Sequence, residues 1–330
     1  MRQKRIHFVF ALLLVFTVVL AFTSCEKLSV NKLRANYHFS KANQLFTDGK
    51  YRKAMTEYEN TLKYNPDMIQ AYRFLGESYK SLYKVGVDTP ENLEVADKAM
   101  AAFKKAYEAE PNNKEIIFSL GDMYDKLKNF EEAEKLYLRI LELEPGNMGN
   151  YYVVAEFYKR YASENEEVRS KAESMYLRRI ELDPENPQGY AYIANYYYES
   201  PELNTELVDL AHDYLNKRIQ LDPNNAEFWY AKGVNRWARS FRFQNVPVAE
   251  RIKYAKESLQ DLEKAIEVDP NYPEPYAYVS VVYQSVLIRL EPDKEPRYKA
   301  EADRAMERWN ETRKRAADKK KLEDELKKVG

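Results

Sequence analysis

Sulfur, imidazole and glycine are scarce in this chain of 330 residues. Its one cysteine, Cys25, excludes an intramolecular disulfide and any metal site built from several thiolates. The three histidines, His7, His38 and His212, show no metal-ligand spacing, and no phosphate-binding glycine loop or serine-centred nucleophile elbow occurs. Carboxylates are plentiful, but they alternate with lysine and arginine, and solvated i to i+4 pairs on helix surfaces account for them. Neither catalysis, nor a metal, nor a cofactor is therefore expected. Nine glycines, with 45% hydrophobic and 32% charged residues, describe a soluble helical body rather than a β-rich or disordered one. No basic excess exists, since the formal net charge is -1, so nucleic acid is not an expected partner.

What is present begins at the N-terminus. Arg2, Lys4 and Arg5 precede an apolar run from Phe8 to Phe22, broken only by Thr17. A short basic segment before such a run reads as an export signal. As a helix the run reaches only about 22 Å, short of a roughly 30 Å hydrocarbon core, so a permanent transmembrane anchor is the weaker reading. The small residues Thr23 and Ser24 stand before Cys25, and Glu26 and Lys27 follow at once. This stretch resembles the lipobox of bacterial lipoproteins, with Phe22 in place of the usual leucine. The resemblance implies removal of residues 1–24, acylation of Cys25, palmitate included, and a tether of residues 25–29. Two or three acyl chains suffice for stable anchoring. The resemblance further implies, through Glu26 where an aspartate would favour inner-membrane retention, an outer-membrane lipoprotein facing the periplasm. An inner-membrane or cell-surface location is the alternative.

The body repeats. Prolines end similar segments at Pro66, Pro111, Pro145, Pro184, Pro223 and Pro270, separated by 45, 34, 39, 39 and 47 residues. One phase places small residues at a first site (Ala42, Gly76, Gly121, Ala155, Ala194, Gly233, Ser280) and at a second (Ala54, Ala99, Ala133, Ala172, Ala211, Ser258), twelve residues on once the added lengths are set aside. Tyrosines keep the same phase, at Tyr72, Tyr151, Tyr190 and Tyr276, at Tyr79, Tyr124, Tyr158, Tyr197 and Tyr283, and at Tyr51, Tyr58, Tyr137 and Tyr176. The uninterrupted copy, Lys114 to Asn147, resembles the tetratricopeptide repeat, two antiparallel helices in 34 residues. In that register the small residues take positions 8 and 20, where the helices of a hairpin approach closely. The fold implied is all-α, a right-handed tetratricopeptide solenoid of about seven repeats over residues 30–312, with a charged C-terminal helical extension at 313–330.

Lengths beyond 34 fall between the two helices of a repeat and read as added turns on second helices. Thr89-Pro90-Glu91 and Ser200-Pro201-Glu202 read as N-cap, first helical residue and early acid, and Ser163 with Glu166 as a capping box. The longest insertion carries Arg239, Phe241, Arg242 and Phe243, a knob available to a partner or docked on the neighbouring helix. From Glu295 onward the chain has 12 basic and 9 acidic residues, as a polar terminal helix requires. RKRAADKKK within it could contact anionic lipid or an acidic partner, though a solvated helix is the commoner use.

With no chemistry in view, function falls to surface shape. In the family the concave face is lined by first-helix positions 2, 5, 9, 12 and 13. The resemblance implies partner-binding residues Phe39 and Asn43, Arg73 and Glu77, Phe118 and Asp122, Tyr152, Glu156 and Arg160, Asn195 and Tyr198, and Tyr230 and Trp237. Phe46, Lys80, Lys159 and Val234 belong to the same face. Phe39 stands where the carboxylate clamp of co-chaperone repeats has lysine, so that function does not carry over. Rings beside mixed charges suit protein or peptide partners. The chain resembles in plan the repeat lipoproteins that serve as scaffolds or adaptors in envelope assembly or secretion. A periplasmic carrier that captures peptide or glycan in the groove is the alternative.

Overall fold

This computed structural model describes residues 30–163, 165–200 and 202–329. The signal-like segment, Cys25 and the tether lie outside the described residues. Described elements are helices throughout, in two compact units that divide between Asn147 and Met148.

The first unit holds three hairpins: α1 (30–47) with α2 (Tyr51–Tyr64), α3 (Ile69–Lys80) with α4 (Pro90–Ala109), and α5 (Lys114–Lys126) with α6 (Phe130–Leu143). The second holds four. These are α7 (Met148–Tyr161) with α8 (Glu166–Leu182), α9 (Pro187–Tyr198) with α10 (Thr205–Leu221), and α11 (Ala226–Phe241) with α12 (Val248–Val268). The last first helix, α13 (Glu274–Val282), passes through a π-helical turn at Tyr283–Leu287 into α14 (Ile288–Leu290) and pairs with α15 (Glu295–Val329). Within each unit, consecutive hairpins pack on one another.

The close approaches fall where the repeat phase puts small residues. Ala54, Ala99, Ala133, Ala172, Ala211 and Ser258 are all wholly buried, as are Ala42, Ala155 and Ser280. Ser258 donates its hydroxyl to the Gly233 carbonyl at 2.7 Å, an approach only a side-chain-free neighbour allows. Around these contacts, Tyr58, Tyr137, Tyr176, Phe103 and Phe157 are among the largest fully buried side chains. A further use of the tyrosines follows the prolines. The hydroxyls of Tyr190 and Tyr276 donate to the carbonyls of Pro184 and Pro270, and the Trp229 indole does the same to Pro223. Each ring thereby supplies a donor to a proline carbonyl in the turn between hairpins.

Inserted length is mostly helix, as expected: α4 has 20 residues and α12 has 21, against 14 in α6. Thr89 caps α4 with Pro90 in its first turn. Two other expected caps are displaced. Asn165, not Ser163, caps α8, and Asn204, not Ser200, caps α10, each amide oxygen accepting a backbone N–H of the first turn. Asparagine also caps α5, α6, α9 and α11. Its short acceptor reaches the free N–H groups of the first turn. The knob is not free: Phe241 stacks on Trp237 at 5.2 Å within the core of the last repeats, and extends α11 by a turn.

The longest loop of the first unit, residues 81–89, is held by one side chain. Buried Asn92 accepts from the Lys84 N–H at 2.9 Å and donates to the carbonyls of Lys84 and Val87 at 2.8 and 2.7 Å. Asn92→Leu should therefore destabilise the first unit by about 1–3 kcal/mol, since buried backbone groups lose their partners; chemical denaturation measures it.

The seventh hairpin ends on a charged knot. Glu291 accepts from Lys294 and from the Tyr298 hydroxyl (2.7 Å), and lies 3.2 Å from Lys256 of α12. Lys294 and Tyr298 foremost, with Lys256, hold its carboxyl at about 2. A depressed acid stabilises the fold above its unfolded pKa, near 4.3, and loses that contribution as pH falls towards the folded value. Glu291→Gln is therefore expected to lower the melting temperature clearly at neutral pH, the gap to wild type closing between about pH 4.5 and 2. Beyond buried Thr312, α15 is exposed through Lys321.

Candidate protein-binding surface on the first helices

The residues expected on the concave face all lie on first helices, but many of them bind one another. In the first unit, Phe39 packs at 6.0 Å from Tyr58 and 6.2 Å from Phe74, and Asn43 accepts the Tyr58 hydroxyl at 2.8 Å. Arg73 lies over the Phe74 ring and reaches Glu115 at 2.9 Å. Lys80 bridges Glu77 at 2.9 Å and Asp122 at 2.7 Å, tying α3 to α5. Its own burial opposes the charge, but the two carboxylates outweigh it together and raise its pKa. Phe118 is the open ring, 41% exposed.

In the second unit, Tyr152 stacks on Tyr192 at 4.1 Å, with Arg179 over Tyr192. Glu156 accepts the Tyr176 hydroxyl at 2.6 Å. Arg160 and Asn195 are exposed. Tyr198 lies under the Arg242 guanidinium at 4.9 Å, and burial pushes its phenol up despite that cation. Tyr230 meets Tyr272 and Tyr278 edge-on, each at 5.4 Å. Trp237 donates to the Ser285 hydroxyl at 2.9 Å and meets Tyr278 at 5.6 Å. Trp237 is thus a contact between successive hairpins as well as a surface ring. His38 is half-buried, and its Nδ1–H donates to the Glu57 carboxylate at 2.6 Å. His212 is buried, and desolvation above all pushes its pKa down to about 3, so it is neutral at physiological pH.

Three of the pairings share a position. Phe74, Tyr192 and Tyr278 occupy the same repeat position, two residues before the small residues Gly76, Ala194 and Ser280. Each meets a ring on the preceding first helix: Phe39 and Phe46 for Phe74, Tyr152 for Tyr192, Tyr230 and Trp237 for Tyr278. The other repeats carry no ring there, with Ser40, Ser119, Val153 and Ala231 in its place, and expectation had assigned the position no role.

In the repeat of α11 that position is Ala231. Where α3, α9 and α13 place a ring against the preceding first helix, α11 has a methyl group, and a depression of about 190 Å³ opens between α9, α10 and α11. Ala194, Ala211, Leu215 and Val234 contribute apolar surface, and Asn195, Tyr198 and Tyr230 bring polar tips. Buried Asn235, also in the lining, holds the Val208 carbonyl through its Nδ2 at 3.2 Å. The surface there combines room for one apolar side chain with donors and acceptors for a peptide backbone.

Residues 96–153 match the family described as Tetratricopeptide repeat. No curated protein matches the chain. Among solved structures, a MamA protein is 18% identical, aligned over 59% of this chain and 94% of its own, at TM-score 0.44. YrrB, described as a TPR protein with an unusual peptide-binding site, is 23% identical over 64% of this chain and 97% of its own, at 0.41. The pilF protein of Pseudomonas aeruginosa is 14% identical over 75% of this chain and 97% of its own, at 0.44. The fold is all-α, built of helical hairpins in the tetratricopeptide register.

Proposed function

We propose that this chain is a lipid-anchored adaptor that binds an extended segment of a partner protein across α9 and α11, at the periplasmic face of the outer membrane. The observation that carries the binding reading is the depression opened by Ala231. Its volume of about 190 Å³ suits a single apolar side chain, and its polar rim suits the flanking backbone, the division of labour by which grooves recognise peptides. The anchoring reading rests on the sequence around Cys25.

Each part has its own test. A photo-crosslinking amino acid at exposed Asn195 should capture a discrete partner in cells, and Ala231→Tyr, which supplies the ring that the repeats of α3, α9 and α13 carry, should abolish the adduct. Adducts that persist in Ala231→Tyr, with helicity unchanged, sink the binding site. Trp237→Ala is a poorer probe, because it also removes a contact to Ser285 and Tyr278. Labelled palmitate should enter the wild-type protein and not Cys25→Ala; equal labelling of both would refute the anchor.

A further inference from the structure

α1 shows an apolar stripe to solvent. Val30, Leu33 and Tyr37 are 46, 67 and 64% exposed, and their spacing of three and four residues puts them on one helix face. Ala35 and Ala42, wholly buried, mark the opposite face, which packs inward. Helix 30–47 also differs from the rest of the chain in charge: it carries Lys32, Arg34 and Lys41, all exposed, and no aspartate or glutamate. Lys41 is paired, 2.8 Å from Glu57 of α2, and Arg34 lies over the Tyr64 ring at 5.5 Å, so both sit beside the stripe on the side of α2.

We propose that this face of α1 lies in the interfacial layer of an anionic phospholipid membrane, so that the first hairpin is docked on the bilayer and not merely tethered to it. The inference rests on the anchoring reading for the membrane's presence. Covalent geometry then restricts the choice. Five residue steps separate Cys25 from Val30, an extended reach of at most about 18 Å. A bilayer holding Cys25 must therefore lie close to the start of α1, and the stripe is the uncovered apolar surface that starts there. An apolar face with a tyrosine and flanking basic residues has the composition of helices that lie in the membrane plane, with rings at headgroup level and cations on acidic lipid. Because α1 has no acidic side chain, nothing on the helix itself opposes that approach.

The test supplies the attachment chemically, so that it does not depend on cellular acylation. The chain from Cys25 onward, which keeps every described residue, is coupled through its single thiol to maleimide-bearing lipid in vesicles of phosphatidylcholine and phosphatidylglycerol. Leu33→Trp is compared with Lys105→Trp, at an exposed position of α4, and with the parent protein to subtract its native tryptophans. With bromine on the lipid acyl chains, the emission added by Leu33→Trp should be largely quenched and that added by Lys105→Trp should not. Equal emission in brominated and ordinary vesicles at both positions overturns the proposal. So does a Leu33→Trp signal that is shielded only at high protein density, which would assign the stripe to a second copy of the chain. Failure of palmitate labelling at Cys25 would refute the anchor while leaving this result standing as a property of α1.

Discussion

Gly76→Ala is expected to destabilise the first unit by about 1–3 kcal/mol, whereas Gly121→Ala, at the same repeat position in the same unit, is expected to stabilise it by up to about 1 kcal/mol. The chemistry of the two substitutions is identical and both sites are mid-helix, so glycine costs backbone entropy at each. The difference lies across the hairpin. A Cβ on Gly76 would stand 2.6 Å from two ring carbons of Phe103, a wholly buried side chain of α4 with no room to retreat. A Cβ on Gly121 would meet Leu136 and Tyr137 at 3.4 Å, ordinary van der Waals contact. Overpacking therefore outweighs helix propensity at the first site, and propensity prevails at the second. Chemical denaturation of the two variants should move the midpoint in opposite directions. Like signs would mean that the hairpins adjust their separation freely, and that the small residues are not what sets it.

That contrast bears on how much could be read beforehand. Hairpin order and phase were legible because they depend on exclusion: every residue at positions 8 and 20 must be small, and a pattern of absent volume survives wherever the surface drifts. Caps were less legible. Ser200-Pro201-Glu202 and Asn204-Thr205-Glu206 both satisfy the local rules for a helix start, and local rules cannot say that the helix begins at the second. The surface was least legible. A residue such as Trp237 can be assigned to the concave side from its phase, but whether it faces a partner or its neighbour depends on what the next repeat offers. Tyr278 and Ser285 take it up. The position occupied by Phe74, Tyr192 and Tyr278 holds Ser40, Ser119, Val153 and Ala231 in the other repeats, so the sequence alone does not single it out, and its role shows only in the ring-to-ring contacts.

Tyr176→Ala should cost the second unit about 3–5 kcal/mol, the range for removing a large buried ring, while Tyr176→Phe should cost only about 1 kcal/mol. The ring is 1% exposed and stands in α8 between Tyr152 of α7 and Tyr196 of α9, so alanine would open a cavity shared by three helices. The hydroxyl is a separate matter. Burial foremost, with the Glu156 carboxylate beside it, pushes the phenol far up, and it remains a donor to Glu156 at 2.6 Å at any ordinary pH. Hydrogen bonds to charged groups can contribute about 1.5–3 kcal/mol, but Glu156 is 32% exposed, and water can replace the lost donor, which sets the smaller figure for phenylalanine. Tyr176 thus couples the hairpin core to the surface of α7, by fixing one carboxylate oxygen of Glu156. A double-mutant cycle with Glu156→Gln isolates that coupling: a substantial interaction energy between the two substitutions is expected, and strict additivity would show that the carboxylate is positioned by something other than Tyr176.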